Sequence, residues 1–242
     1  MRARNQDYVV KAGGPANHHI GREITAHEAF TTPLTNCARA ARLVAADRDA
    51  RVLVLDYLSG QLVEGSEHEL LAETYVQAGK LLAAFHSQAL RIDDDYERRT
   101  KVRALSWLDG EHRIDPEIEG AARRILGAYD PVPVDTVPTH GDWQPRNWII
   151  DRGFVKVIDF GRFDFRSPAS DLCRLAAQQW RGRPELEAAF LSGYGEDPRD
   201  PGRWPIDQLQ EAIGTAAWAY RIGDFEFEAQ GHRMLREAIE RF

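Results

Sequence analysis

Two short apolar runs flank a turn signal near the middle of this chain, and together they constrain its fold more than any other stretch. Trp148-Ile149-Ile150 and Phe154-Val155-Lys156-Val157-Ile158 are rich in β-branched and aromatic residues, and Asp151-Arg152-Gly153 lies between them. That pattern predicts a β-hairpin. A hairpin returns the chain on itself, so the residues just outside its open ends are brought together. Asn147 precedes the first strand and Asp159 follows the second. An amide oxygen and a carboxylate are thereby placed within reach of one small cation. Magnesium takes oxygen ligands and keeps several waters, so two protein ligands plus phosphates suffice for it.

A second carboxylate, Asp142, stands on the loop that feeds the first strand. The loop reads Thr139-His140-Gly141-Asp142-Trp143-Gln144-Pro145-Arg146-Asn147, and the second strand runs into Asp159-Phe160-Gly161. Either tripeptide alone, His-Gly-Asp or Asp-Phe-Gly, is weak evidence. In order around one hairpin they form the arrangement a phosphoryl-transfer site needs. Asp142 orients and deprotonates a hydroxyl, while Asn147 and Asp159 hold magnesium on nucleotide phosphates.

Composition narrows the remaining classes. A chain of 242 residues can bury a substantial core and can split into two lobes. No run of about 18 apolar residues occurs, and the N-terminus lacks an apolar signal core, so a cytoplasmic location with no membrane contact is expected. The net charge of −7 argues against nucleic acid as the main partner. Cys37 and Cys173 have no metal-ligand spacing and are expected to be buried free thiols. His18 and His19 read as loop residues. Monomer and homodimer both stay open.

Helical periodicity covers much of the rest. Gly21–Phe30 predicts a helix, as does Leu70–His86, with Leu71, Tyr75, Ala78, Leu82 and Phe85 along one face. His86 is expected as a packed, hydrogen-bonded residue at a helix end. Arg51–Leu55 predicts a strand that runs into a polar, Gly-terminated turn ending at Gly60. Pro184–Tyr194, Ile206–Ile222 and Phe225–Ile239 predict three further helices, with a Pro- and Gly-rich loop over 195–202. Ser170 or Asp171 would suit a helix N-cap.

The His140-Gly141-Asp142, Asn147 and Asp159-Phe160-Gly161 series resembles the aminoglycoside phosphotransferase family, which shares the protein-kinase-like fold. The likeness continues into Pro168-Ala169-Ser170-Asp171-Leu172, where the family's Asp opens a helix and braces the catalytic loop. It implies an α+β, two-lobe fold: a partial N-terminal β lobe over 1–60 and a mostly helical C-terminal lobe over 61–242. It also implies that Lys11, at the end of Tyr8-Val9-Val10-Lys11, pairs with nucleotide phosphates. Glu23 is the acidic partner of that Lys, with Glu28 as runner-up. Adenine would meet the Asp56 carbonyl and the Leu58 amide. His140 stabilises the loop. ATP is the co-substrate, magnesium the cofactor, and the acceptor a small hydroxylated molecule, foremost an aminoglycoside-like antibiotic, which would make the chain a resistance enzyme.

Two alternatives accompany this resemblance: a small-metabolite kinase of choline, amino-sugar or homoserine type, and a nucleotide-binding protein with impaired catalysis. The second arises because only ten residues precede Lys11, where the family has two strands and a phosphate-covering loop. Either the start lies upstream or the β lobe is truncated, which would expose a sheet edge at Tyr8–Lys11. For the acceptor, Trp143 is the favoured contact, and Asp224, Glu226 and Glu228 are candidates to face an amine. Trp107 and Trp180 read either as pocket residues or as core.

Overall fold

The computed structural model describes residues 1–3 and 6–242. Its strands are β1 (Arg2–Ala3), β2 (Gln6–Ala12), β3 (Leu43–Asp47), β4 (Val52–Asp56), β5 (Gln61–Leu62), β6 (Arg91–Asp93), β7 (Val134–Thr139), β8 (Trp148–Asp151), β9 (Phe154–Val157) and β10 (Asp164–Arg166). Its helices are α1 (His19–Ala29), α2 (Thr32–Asn36), α3 (Ala72–His86), α4 (Tyr96–Leu108), α5 (Pro116–Ala128), α6 (Cys173–Ala177), α7 (Pro184–Tyr194), α8 (Trp204–Ile222) and α9 (Phe225–Ile239). Two compact units result, residues 1–90 with 137–197, and residues 91–136 with 198–242. Most of the strands belong to the first unit, and the second, which holds β6 and the start of β7, is largely helical. Among the described residues no helix is long and apolar enough to cross a membrane.

The first unit opens with an antiparallel sheet of order β1-β2-β4-β3. Lys11 pairs with Leu53 in the β2–β4 register, and Tyr8 with Asp56. Helix α1 packs on this sheet through Ile20 and Ile24, which join Leu53, Leu55 and Ala41 in one apolar cluster. The predicted hairpin is present. Trp148 faces Val157 and Asp151 faces Phe154, and Arg152 and Gly153 both take positive φ in the turn, the backbone that joins tightly twisted strands. The Ile158 amide then donates to the Asn147 carbonyl at 3.0 Å. The ladder thus extends to the residues beside the expected ligands.

An aromatic chain backs this hairpin. Tyr75 on α3 packs edge-on against Trp148, Trp148 meets Trp143, Trp143 meets His140, and His140 meets Phe160. Trp143, Trp148, Tyr75 and Phe160 are fully buried. Helices α3 and α7 cross closely at Gly79 and Gly193, where a Cβ would run into the Phe190 and Val76 carbonyls.

Several local expectations change. Cys37 is exposed at the end of α2, while Cys173 is buried. Cys37 follows a five-residue helix with only Leu34 buried, so no apolar face encloses the thiol. His19 is the first residue of α1, and its Nδ1 lies 2.9 Å from the Gly161 carbonyl. Asp171 does not cap α6, whose N-cap is Leu172 without a side-chain bond.

The second unit packs α8 against α9 and α4, and α5 against α9. Within it, Asp207 is nearly buried. The Arg203 Nε lies 3.5 Å from its Oδ2 and 3.7 Å from the Glu97 carboxylate. Burial pushes the Asp207 pKa up to about 7; Arg203 opposes the shift, and Glu97 and Asp200 add to it. A raised carboxylate pKa means the folded chain holds a proton that the unfolded chain has released. Stability therefore falls as pH rises from about 4 to about 7. Thermal melts across that range should show this slope, and Asp207→Asn should flatten it. An unchanged slope in the variant would place its origin elsewhere.

Candidate active site

Each expected residue of the phosphate end lies in the first unit. The Lys11 Nζ sits 2.7 Å from Glu23 Oε1 and 3.2 Å from Asp159 Oδ1. Glu23 is 1 % exposed, and α1 carries it to Lys11 of β2. Burial raises the Glu23 pKa even against the pull of Lys11. For Lys11, burial alone would lower the pKa, but Glu23 and Asp159 raise it, so the ammonium stays charged. Glu28, the alternative partner, faces solvent and pairs with Arg48 at 2.5 Å.

Asp159 occupies the left-handed region at φ 63°, ψ 69°, and its side chain is 53 % exposed. Aspartate tolerates this backbone better than most residues. Burial would raise its pKa, but Lys11 holds it below the usual carboxylate range. The Asn147 amide nitrogen donates to the Asp142 carbonyl at 2.8 Å and to Asp142 Oδ2 at 2.9 Å. Its oxygen is therefore turned away from Asp142. An amide oxygen not used by Asp142 and a half-open carboxylate are the hard donors magnesium accepts, and so the residues fit the ion.

The loop that carries Asp142 is held from below. Asp171, buried, accepts from the His140 amide at 2.8 Å, the Gly141 amide at 2.6 Å and His86 Nε2 at 3.1 Å. Burial opposes ionisation here, and His86 with the loop groups overcomes it and lowers the pKa. His86 Nδ1 meets the Tyr194 hydroxyl at 2.9 Å, so both ring nitrogens serve packing. Gly141 lies at φ +80°, and a Cβ there would collide with the Arg162 carbonyl and the Arg166 side chain. Only glycine fits that turn. His140 is fully buried, with Nε2 3.0 Å from the Ile158 carbonyl and Nδ1 3.3 Å from the Asp142 amide. Desolvation lowers its pKa despite three neighbouring carboxylates. It is a neutral spacer between the loop and the hairpin.

Asp142 has more partners than its sequence context shows. Arg146 Nη2 donates to Oδ2 at 2.7 Å, and Arg174 Nη1 and Gln144 Nε2 both donate to Oδ1. Burial would raise its pKa, but Arg174 and Arg146 hold it far below the usual range. The sequence reading missed Arg146, Arg174 and Gln144. The Asp142/Arg146 spacing of four was the one available signal.

The acceptor candidates fall elsewhere. Trp143 is 0 % exposed, wedged between His140 and Trp148, and offers no surface to an acceptor. An apolar side chain in this loop is drawn into the aromatic core. Asp224 caps α9 by accepting from the Phe227 amide at 3.0 Å. Glu228 is buried in a two-point pair with Arg113, at 3.0 and 2.5 Å. Glu226 is exposed. Trp180 is core against Phe190, while Trp107 is half-buried under Arg221. At the expected adenine position, Tyr57 donates its amide to Asp7, and among the described residues the Leu58 amide has no hydrogen-bond partner.

A Lys–Glu pair, a braced carboxylate loop and a hairpin ending in Asn and Asp thus come together in the first unit. The model of the phosphotransferase enzyme family matches residues 4–205, and the chain belongs to that family. No curated protein matches the sequence. Among solved structures, the choline kinase LicA from Streptococcus pneumoniae is similar at TM-score 0.73 and 16 % identity, over 100 % of this chain and 88 % of that one. A thermostable mutant of aminoglycoside phosphotransferase APH(4)-Ia, in ternary complex with AMP-PNP and hygromycin B, is similar at TM-score 0.72 and 12 % identity, over 98 % and 87 %. A macrolide 2'-phosphotransferase type I is similar at TM-score 0.63 and 18 % identity, over 96 % and 84 %. These likenesses establish the protein-kinase-like fold.

Proposed function

We propose that this phosphotransferase uses ATP and magnesium to phosphorylate a hydroxyl of a small molecule, with aminoglycoside-like antibiotics as the first acceptor class. The observation that carries the proposal is the linked series Glu23–Lys11–Asp159 and Asn147–Asp142 around one hairpin end. Adenine lies against Asp56 to Leu58. Lys11, held by Glu23, neutralises phosphate charge. Asn147 and Asp159 would hold magnesium, which when bound neutralises phosphate oxygens. Asp142 takes the acceptor's hydroxyl proton. The acceptor oxygen bonds to the γ-phosphorus as its bond to the bridging oxygen breaks, and ADP leaves with that electron pair. A carboxylate of low pKa serves because the proton departs late in a loose transition state.

The antibiotic reading is supported by the hygromycin B-bound relative. A second reading, a choline-type metabolite kinase, is supported by the LicA likeness. A coupled ADP-release assay separates them, run with aminoglycosides, other hydroxylated antibiotics, choline, amino sugars and homoserine. One class should give acceptor-dependent release that Asp142→Asn abolishes. If MgATP binds and no class gives release, the chain is a nucleotide-binding protein and the transfer reading fails.

A further inference from the structure

The Asp142 carboxylate is saturated. An ionised carboxylate offers about four lone-pair sites, and the donors to Asp142 are Gln144 and Arg174 on Oδ1, and Arg146 and Asn147 on Oδ2. No site is left for an acceptor hydroxyl, so one donor must leave before a proton can be taken. Three are held in place. Gln144 and Asn147 are buried, and Asn147 is pinned a second time by the Asp142 carbonyl. Arg174 has a 13 % exposed side chain on α6 and takes part in a further interaction. Arg146 is different. Its side chain is 42 % exposed, and among the described residues its side-chain hydrogen bonds go to Asp142 alone.

An arginine that leaves a carboxylate needs another anion within its swing. In the transfer reading, on which this inference rests, the anion delivered beside Asp142 is the γ-phosphate. Guanidinium binds phosphate oxygens with the same two-pronged geometry it uses for carboxylates. We propose that Arg146 is a transferable clasp: it closes Asp142 when no triphosphate is bound, and moves to the γ-phosphate when ATP arrives. One movement then stabilises the transferring group and opens a lone pair on the base. The base is exposed to an acceptor only when a phosphoryl group is present to be transferred.

Nucleotide affinity provides the test, without need of an acceptor. Magnesium complexes of AMP-PNP and of ADP are titrated calorimetrically into wild type, Arg146→Gln and Arg146→Lys. Arg146→Gln should weaken AMP-PNP binding about tenfold, the scale of one charge-assisted bond, and leave ADP binding within about twofold. Arg146→Lys, which keeps the charge, should fall between. Asp142→Asn, which releases the clasp, should tighten AMP-PNP binding, and should do so less when combined with Arg146→Gln. If Arg146→Gln binds both nucleotides as wild type does, or loses both equally, the clasp is refuted while the transfer reading stands. If wild type binds neither nucleotide, both fall together.

Discussion

Asp142→Asn is expected to lower the transfer rate by about 10²–10⁴-fold, the usual contribution of a positioned general base. Asparagine keeps the shape and can still accept through its one carbonyl oxygen, but it cannot take a proton. It also leaves Arg146 and Arg174 facing each other without the anion between them. Some loss of stability follows, and the comparison requires a thermal melt beside the kinetics. The assignment has a pH signature as well. Asp142 is held anionic far below its ordinary range, so its ionisation does not limit activity anywhere near neutrality. His140 could produce an acid limb near neutrality only if it were the base. Its burial and its two engaged nitrogens exclude that role. A variant that turns over at the wild-type rate would remove Asp142 from the mechanism.

The hairpin was legible in the sequence because its information is local. β-branched runs, a two-residue positive-φ turn at Arg152 and Gly153, and chain return follow from neighbours alone. The helices α1, α3, α7, α8 and α9 were legible for a similar reason, since an apolar period is written along one segment. Lys11 and Glu23 carry no such mark. Their 2.7 Å contact joins a strand to a helix, and only the order of motifs around them suggested it. Arg174 was invisible because its partner lies 32 residues away in sequence, and nothing local to α6 distinguishes one arginine from another. The acidic run at Asp224–Glu228 misled because composition does not show pairing. Asp224 is used by its own helix end and Glu228 by Arg113 across the unit, so among the described residues Glu226 is the acid of the run outside any such pairing. Trp143 shows the converse. A large apolar ring in a catalytic loop looks like a substrate contact, yet burial of so much surface is worth more to the core.

Asp171→Ala is expected to cost about 3–5 kcal/mol of stability, the cost of breaking a buried charged network by removing one member. The carboxylate accepts three donors, and its removal leaves the His140 and Gly141 amides and His86 Nε2 without their acceptor in a buried site. Asparagine should not rescue it. Its oxygen can serve one amide, but its NH₂ group presents a donor to the other. Because the folded-state pKa of Asp171 is lowered, its stabilisation is complete above the unfolded aspartate value of 3.8 and is lost as pH falls through the folded one. The variant's deficit should therefore be full at neutral pH and shrink in strong acid. Activity should fall more than the melt alone explains, because the same amides fix Gly141 at φ +80° and so aim Asp142. Urea unfolding of the Asp171→Ala and Asp171→Asn proteins at pH 7 measures the first effect, and hydrogen exchange at the Gly141 amide the second. A loss below about 0.5 kcal/mol, within the range of an ordinary surface change, would mean that the loop is held by the aromatic stack of Trp143, His140 and Phe160 instead.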